Sequence, residues 1–359
     1  MKKFFLILAF ILFFAVSVNA QMRVVTVKSG TSVFYYPELI TAVYNAPEGS
    51  DIYIGGGVYE FTCNINKELH FYGVGCYPDS TIATGSTITI GNPRFIEGSD
   101  NSTISGINFT GHELRIIPVN GGNINNISIT RCRIKRLSLE TGVTNFKVSE
   151  SIIDWIWDYW SSKVVFGCII EKNIFINGYK ALQGLDNAII DHNIFLGYQP
   201  NGNLGGMFQS VTNSIFTNNI ITSNVPRTEL FSAGYGGNFN IIFKNNFVVI
   251  ESFDPNYDFA EGQSNVSIDN QFYNDKTPAD IFVKFENPDF DFGNDYHLKE
   301  PYNALTFSTD GTEIGIYGTQ FPYKDGAVPV IPHYTTSEIG GELINGQLHI
   351  NVTVEAQTK

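Results

Sequence analysis

The sequence predicts an all-β solenoid: a single-stranded right-handed parallel β-helix with an N-terminal capping helix and a C-terminal strand extension. Three observations predict it. A nine-residue phrase recurs at the spacing of one coil, the composition favours short strands and tight turns, and a short amphipathic helix precedes the first repeat.

The phrase is clearest in NAIIDHNIF at 187, NSIFTNNII at 213 and NIIFKNNFV at 240. Each opens on Asn, with an apolar residue fourth, a small polar residue seventh and an apolar residue ninth. Looser copies start at 126, 145, 167 and 265, and NSTISGINF at 101 fits at its ends. Successive starts differ by 25, 19, 22, 20, 26, 27 and 25 residues. A unit of about two dozen residues is too short for a helical-hairpin repeat, and it is too poor in Leu for a leucine-rich one. Coils of this size bury their apolar residues by stacking at about 4.8 Å, the ordinary strand spacing. The seventh position then reads Cys132, Ser151, Asn173, Asn193, Asn219, Asn246 and Gln271. In register these side chains form an interior ladder. Buried amides are costly unless paired, so the ladder gives the asparagines a structural role.

Composition agrees. Glycine (34 residues) and phenylalanine (29 residues) are plentiful, and only 16% of residues are charged. That suits strands joined by turns. The N-terminal helix is expected after Pro37, with Leu39, Ile40 and Val43 as its apolar stripe and Pro47-Glu48-Gly49 as its stop. A strand over 51–54 follows.

At this cap, SDIYIGGGVYEF, the chain resembles the pectate-lyase-like β-helix superfamily, with Ser50-Asp51 where that group has Gly-Asp. DYHLKEPYNALTFSTDGTEIGIYG at 295–318 resembles the closing segment of secreted β-helix proteins of Bacteroidetes type. The resemblance implies fold rather than reaction, and it makes His297 a capping residue rather than a catalyst. In the tail, Leu348, Ile350, Val352 and Val354 alternate with polar residues, which reads as one half-buried strand.

MKKFFLILAFILFFAVSVNA opens the chain with two lysines, an apolar run and the small residues a signal peptidase needs before Gln21. The domain reading is therefore a signal peptide over 1–20, the capped β-helix over 21–328, and a tail with one strand over 329–359. Export to the periplasm, the cell surface or the medium follows, with no membrane span after signal removal. The net charge of −13 becomes −15 without Lys2 and Lys3, which argues against nucleic acid as a partner. Cys63 and Cys76 could pair in an oxidising compartment, whereas Cys132 and Cys168 fall on buried positions. The chain is expected to be a monomer.

Function should lie in the stretches that follow each phrase. All three tryptophans, Trp155, Trp157 and Trp160, crowd one of them beside Asp158 and Tyr159. Tyr179 and Tyr198 follow the next phrases, and these seven residues are the ligand-binding candidates. Aromatic faces near carboxylates and amides hold sugar rings, so the expected partner is an oligo- or polysaccharide. Whether Trp155 and Trp157 form a platform or fill the core depends on where the chain turns. Arg227, Glu229, Asp254 and Asp258 are the catalytic candidates. Arg131, Arg133 and Lys135 read as one solvated cationic strand face, and His192 as an exposed side chain.

Two functions remain open. One is a carbohydrate-binding or surface β-helix without catalysis, needing no cofactor. The other is a polysaccharide lyase or glycoside hydrolase acting on an acidic or plant-type glycan. Calcium belongs only to that second reading.

Overall fold

The computed structural model describes residues 24–355, except 82–83, 120, 159–164, 177–179, 198–205, 224–229, 233–236, 252–263, 287–289, 304–307 and 329–331. The proposed signal segment lies outside the described residues. A hairpin opens the fold: β1 (Val25–Ser29) and β2 (Ser32–Tyr36) pair antiparallel around Gly30, whose φ is +57°. Helix α1 (Leu39–Asn45) buries Leu39, Ala42 and Val43 over the end of the solenoid, while Ile40, expected on the apolar stripe, is only partly buried. Strand β3 (Ser50–Ile54) pairs antiparallel with β1 and parallel with Leu69–Gly73.

From β3 onward one strand per coil joins a parallel sheet that ends at Val266–Ile268. The remaining strands of each coil stack in further parallel ladders around the same axis. This is a right-handed parallel β-helix. The fourth position of the phrase explains the core, because Ile104, Ile129, Val148, Ile170, Ile190, Phe216 and Phe243 align in register and are buried.

The amide ladder runs beside that column. Asn173, Asn193 and Asn219 each donate from Nδ2 to the Oδ1 of the next asparagine, at 3.1, 3.0 and 2.9 Å. Each Oδ1 also accepts the backbone N–H of the preceding member, so the Asn219 amide serves Asn193 twice. Its Nδ2 donates to the Ile190 carbonyl as well. Upstream, Ser151 and Cys132 continue the column through Cys132 N–H to Ser151 Oγ.

At its far end the ladder departs from the expected register. Asn246 bonds Asn270, not Gln271, at 2.9 Å. The last coil starts one residue earlier, at Ser264, which takes the left-handed corner conformation (φ 58°) that Asn213 and Asn240 take in the preceding coils. Gln271 instead pairs with Phe247 on the outer side of the coil.

Asp295–Leu298 pairs antiparallel with Phe282–Lys284. Residues 308–328 then run back along the outside of the solenoid as a strap. Thr309 N–H donates to Asn218 Oδ1, Lys172 Nζ to the Phe321 carbonyl, and Arg131 Nη1 to the Val328 carbonyl. Tyr77 and Tyr323 share a 2.7 Å hydroxyl hydrogen bond. Beneath the strap, Ile152, Ile174, Ile194, Ile220 and Phe247 form an outward column that packs on Ile314, Ile316 and Tyr323 as a second core. His297 holds this segment, with Nδ1 3.0 Å from Glu313 Oε2 and its ring stacked on Tyr317.

The strap corrects His192 from exposed to buried. Gly318 lies over it, so closely that an added Cβ would come within 2.2 Å of His192 Cδ2. The tail is corrected too. His333–Ile344 and Gln347–Glu355 pair as a two-stranded antiparallel hairpin, not one strand, and the second strand is exposed along its whole length. All four cysteines are buried free thiols, so Cys63 and Cys76 are not bonded. Burial pushes the Cys63 thiol up to about 11 and those of Cys132 and Cys168 up to about 12, which makes them poor nucleophiles.

Candidate functional site: a cleft at Trp155

Strands Arg133–Leu139 and Ile152–Asp158 decide which way the tryptophans face. They pair in register at Ile134 with Ile153, and again from Arg136 with Trp155. Lys135 and Asp154 stand at the corner between. Inward residues therefore step by three across it, from Ile134 to Leu137 and from Ile153 to Ile156, and all four are fully buried. Strand alternation slips by one at the corner. Trp155 and Trp157 consequently flank the inward Ile156 and face out. Each is partly exposed.

Their rings lie 6.5 Å apart. The guanidinium carbon of Arg136 sits 4.9 Å from the Trp155 centroid and 5.2 Å from that of Trp157, a shared cation–π contact. Two outward columns cross the coils here. One runs Glu113, Arg136, Trp155 and the other Arg94, Arg115, Ser138, Trp157. Arg115 forks onto Glu113 Oε2 through Nε and Nη2, both at 2.7 Å, and Ser138 Oγ donates to Glu113 Oε1. Glu113 is thereby fixed. Arg133 Nη2 lies 2.6 Å from Asp154 Oδ1. Burial raises the Asp154 carboxyl above the ordinary carboxylate range, and the neighbouring Arg133 and Lys135 charges partly offset that rise.

A cleft of about 470 Å³ lies here, lined by Asn92, Gly111, Glu113, Arg115, Lys135, Arg136, Asp154 and Trp155. Three cations and two carboxylates face one another across it. The indole Nε1 of Trp155 is buried without a hydrogen-bond partner.

The expected cationic strand face is corrected. Arg131 occupies a left-handed corner (φ 53°), is buried, and pairs with Glu150 at 2.8 Å. Parity restarts after that corner, so Arg131 and Arg133 are held in ion pairs and Lys135 alone of the three is exposed. The sequence reading missed Glu113, Arg115 and Arg136. Their signal was the outward alternation of Glu113-x-Arg115 and Arg136-x-Ser138, hidden by the corner slip.

Of the other candidates, Asp158 closes the strand with its backbone paired to Leu139. Its side chain, and Tyr159, Trp160, Tyr179, Tyr198, Arg227, Glu229, Asp254 and Asp258, lie outside the described residues. Among the described residues no group of three or more His, Cys, Asp or Glu is placed to hold a metal ion. No described helix is long and apolar enough to cross a membrane.

No protein-family model matches the chain, and no curated protein does. The crystal structure of pectate lyase Pel9A is similar to it, with 13% sequence identity, a TM-score of 0.43, and coverage of 81% of this chain and 89% of that one. The β-helix assignment rests on the chain's own parallel sheets.

Proposed function

We propose that this chain is an exported β-helix, cleaved before Gln21, that binds an acidic oligo- or polysaccharide in the Trp155 cleft without cutting it. The observation that carries the reading is the cleft's composition. The Trp155 indole stands beside Lys135, Arg136 and Arg115, in a chain whose net charge of −13 becomes −15 without Lys2 and Lys3. Indoles give sugar rings a stacking surface, and cations select those that carry carboxylate or sulfate. The net negative charge of the rest of the chain disfavours anions away from the cleft.

Titration with acidic and neutral oligosaccharides of equal length, read by tryptophan fluorescence, tests this. The acidic series should bind, and Lys135→Ala should weaken it about tenfold, the worth of one charge-assisted contact. Equal binding of the neutral series, or none of either, would defeat the reading. A catalytic alternative draws on one observation: Glu113 and the burial-raised Asp154 line the same cleft, two coils apart. Release of shortened sugars from the same mixtures, lost in Asp154→Asn with binding intact, would favour a polysaccharide lyase or glycoside hydrolase.

A further inference from the structure

The third position of the repeat phrase points away from the core, and its occupants change along the solenoid. Thr103, Ser128 and Lys147 hold it in the early coils, then Ile169, Ile189, Ile215 and Ile242, with Val266 in the equivalent place of the last coil. Each of the last five is paired in register with the next, and each is 36–46% exposed. At about 4.8 Å per coil they make a straight aliphatic row roughly 19 Å long. Phe166 and Phe239 extend it around the neighbouring corner, and Ile268 adds to its far end; all three are exposed. A contiguous apolar surface on the order of 500 Å² lies towards the upper end of what a monomer exposes, and patches of that size often serve contact. It approaches the roughly 800 Å² that each partner contributes to a stable interface.

The row is self-complementary. A half-turn about an axis along the strand at Ile215 sets Ile215 against its own counterpart, Ile189 against the partner's Ile242, and Ile169 against the partner's Val266. The next outward column, two residues on in each strand, reads Glu171, Asp191, Thr217, Lys244, Ile268. The same half-turn brings Asp191 opposite the partner's Lys244, and Lys244 opposite the partner's Asp191. On the other side, the corner positions Gly167, Asn187, Asn213, Asn240 and Ser264 are uncharged. Opposite charges meet, and these columns oppose no like charges.

We propose that this face is an isologous two-fold interface between two copies of the chain, their solenoids antiparallel and centred on Ile215. It replaces the monomer that the sequence suggested, and it is independent of the cleft.

Sedimentation velocity across a wide concentration range tests it on the full chain. Wild type should be a dimer. Ile215→Lys should be monomeric and still unfold cooperatively, because an exposed site leaves no cavity, with a melting temperature that no longer rises with protein concentration as the wild type's does; Ile189→Lys repeats the test should Ile215→Lys fold poorly. Lys244→Glu should weaken the dimer about tenfold by setting it against Asp191. A wild type that stays monomeric overturns the proposal, as does a dimer that survives both lysine substitutions. A dimer lost instead with Ile350→Lys, on the exposed tail hairpin, places the contact there and also overturns it.

Discussion

In the later coils the seventh position holds a largely buried amide, and the third an exposed isoleucine or valine. The usual distribution is inverted at both, for one physical reason. A parallel solenoid repeats every side chain at strand spacing, so each residue's principal neighbour is its own copy in the next coil. An amide is the side chain that can satisfy itself this way, donating upward and accepting from below, and Asn219 does both at 2.9–3.0 Å. Isoleucine can pack on its copy but leaves one flank open. Stacking thus removes the cost of a buried amide and leaves the exposure of the aliphatic row in place.

The largest test of this contrast is Asn219→Leu. Leucine removes the acceptor for Asn193 N–H and the donor to the Ile190 carbonyl, and it leaves both buried. A loss of about 3 kcal/mol is expected, read from denaturant unfolding. A stability equal to wild type would show that the ladder contributes nothing. Next in size is the register at the last coil. Asn270→Leu should cost about 1 kcal/mol because it ends the ladder at Asn246, whereas Gln271→Leu should cost less than half of that. The reverse order would restore the register expected from the phrase at 265.

Acid sharpens the comparison on the outer columns. Burial alone would raise the Asp191 carboxyl, but hydrogen bonds from His192, Thr217 and Asn218 hold it below the ordinary range. Asp310 on the strap is likewise lowered, to about 2, by Ser308 and Thr312 against the opposing effect of burial. Folded values below unfolded ones mean that this stabilisation is present above about pH 4, the unfolded carboxylate range, and lost as pH falls towards 2. The melting temperature should fall over that window, and Asp310→Asn should shrink the fall. The smallest effect belongs to Ile215→Thr, which should leave the chemical stability of the monomer within about 0.5 kcal/mol.

The solenoid was legible in the sequence because its period is written in side chains that must face inward. Asn173, Asn193, Asn219 and Asn246 were placed correctly for that reason. The slip at 264 was not legible, because Asn265 matches the phrase's opening residue as well as Ser264 fits the corner. The corner at Lys135 and Asp154 carries no Gly or Pro, so nothing in the letters showed that Trp155 and Trp157 would turn outward. The tail had a signal that alternation alone obscured. Asn345-Gly346, both at positive φ, is a hairpin turn, and it makes the partner of one strand the other half of the same tail. The path of the strap depends on contacts far apart in sequence, which no local pattern encodes.

That path alters how the molecule should come apart. A repeat array whose coils touch only their neighbours can fray from either end, one coil at a time. Here residues 308–328 bind Asn218, Lys172, Tyr77 and Arg131 in turn, joining positions 91 to 246 residues apart. The final coils cannot peel off while that segment stays fastened, and it cannot settle until the coils beneath it exist. Folding should therefore be slow and late-closing, and amide exchange across the coils from Tyr77 to Asn218 should proceed as one cooperative unit rather than as a gradient from the ends.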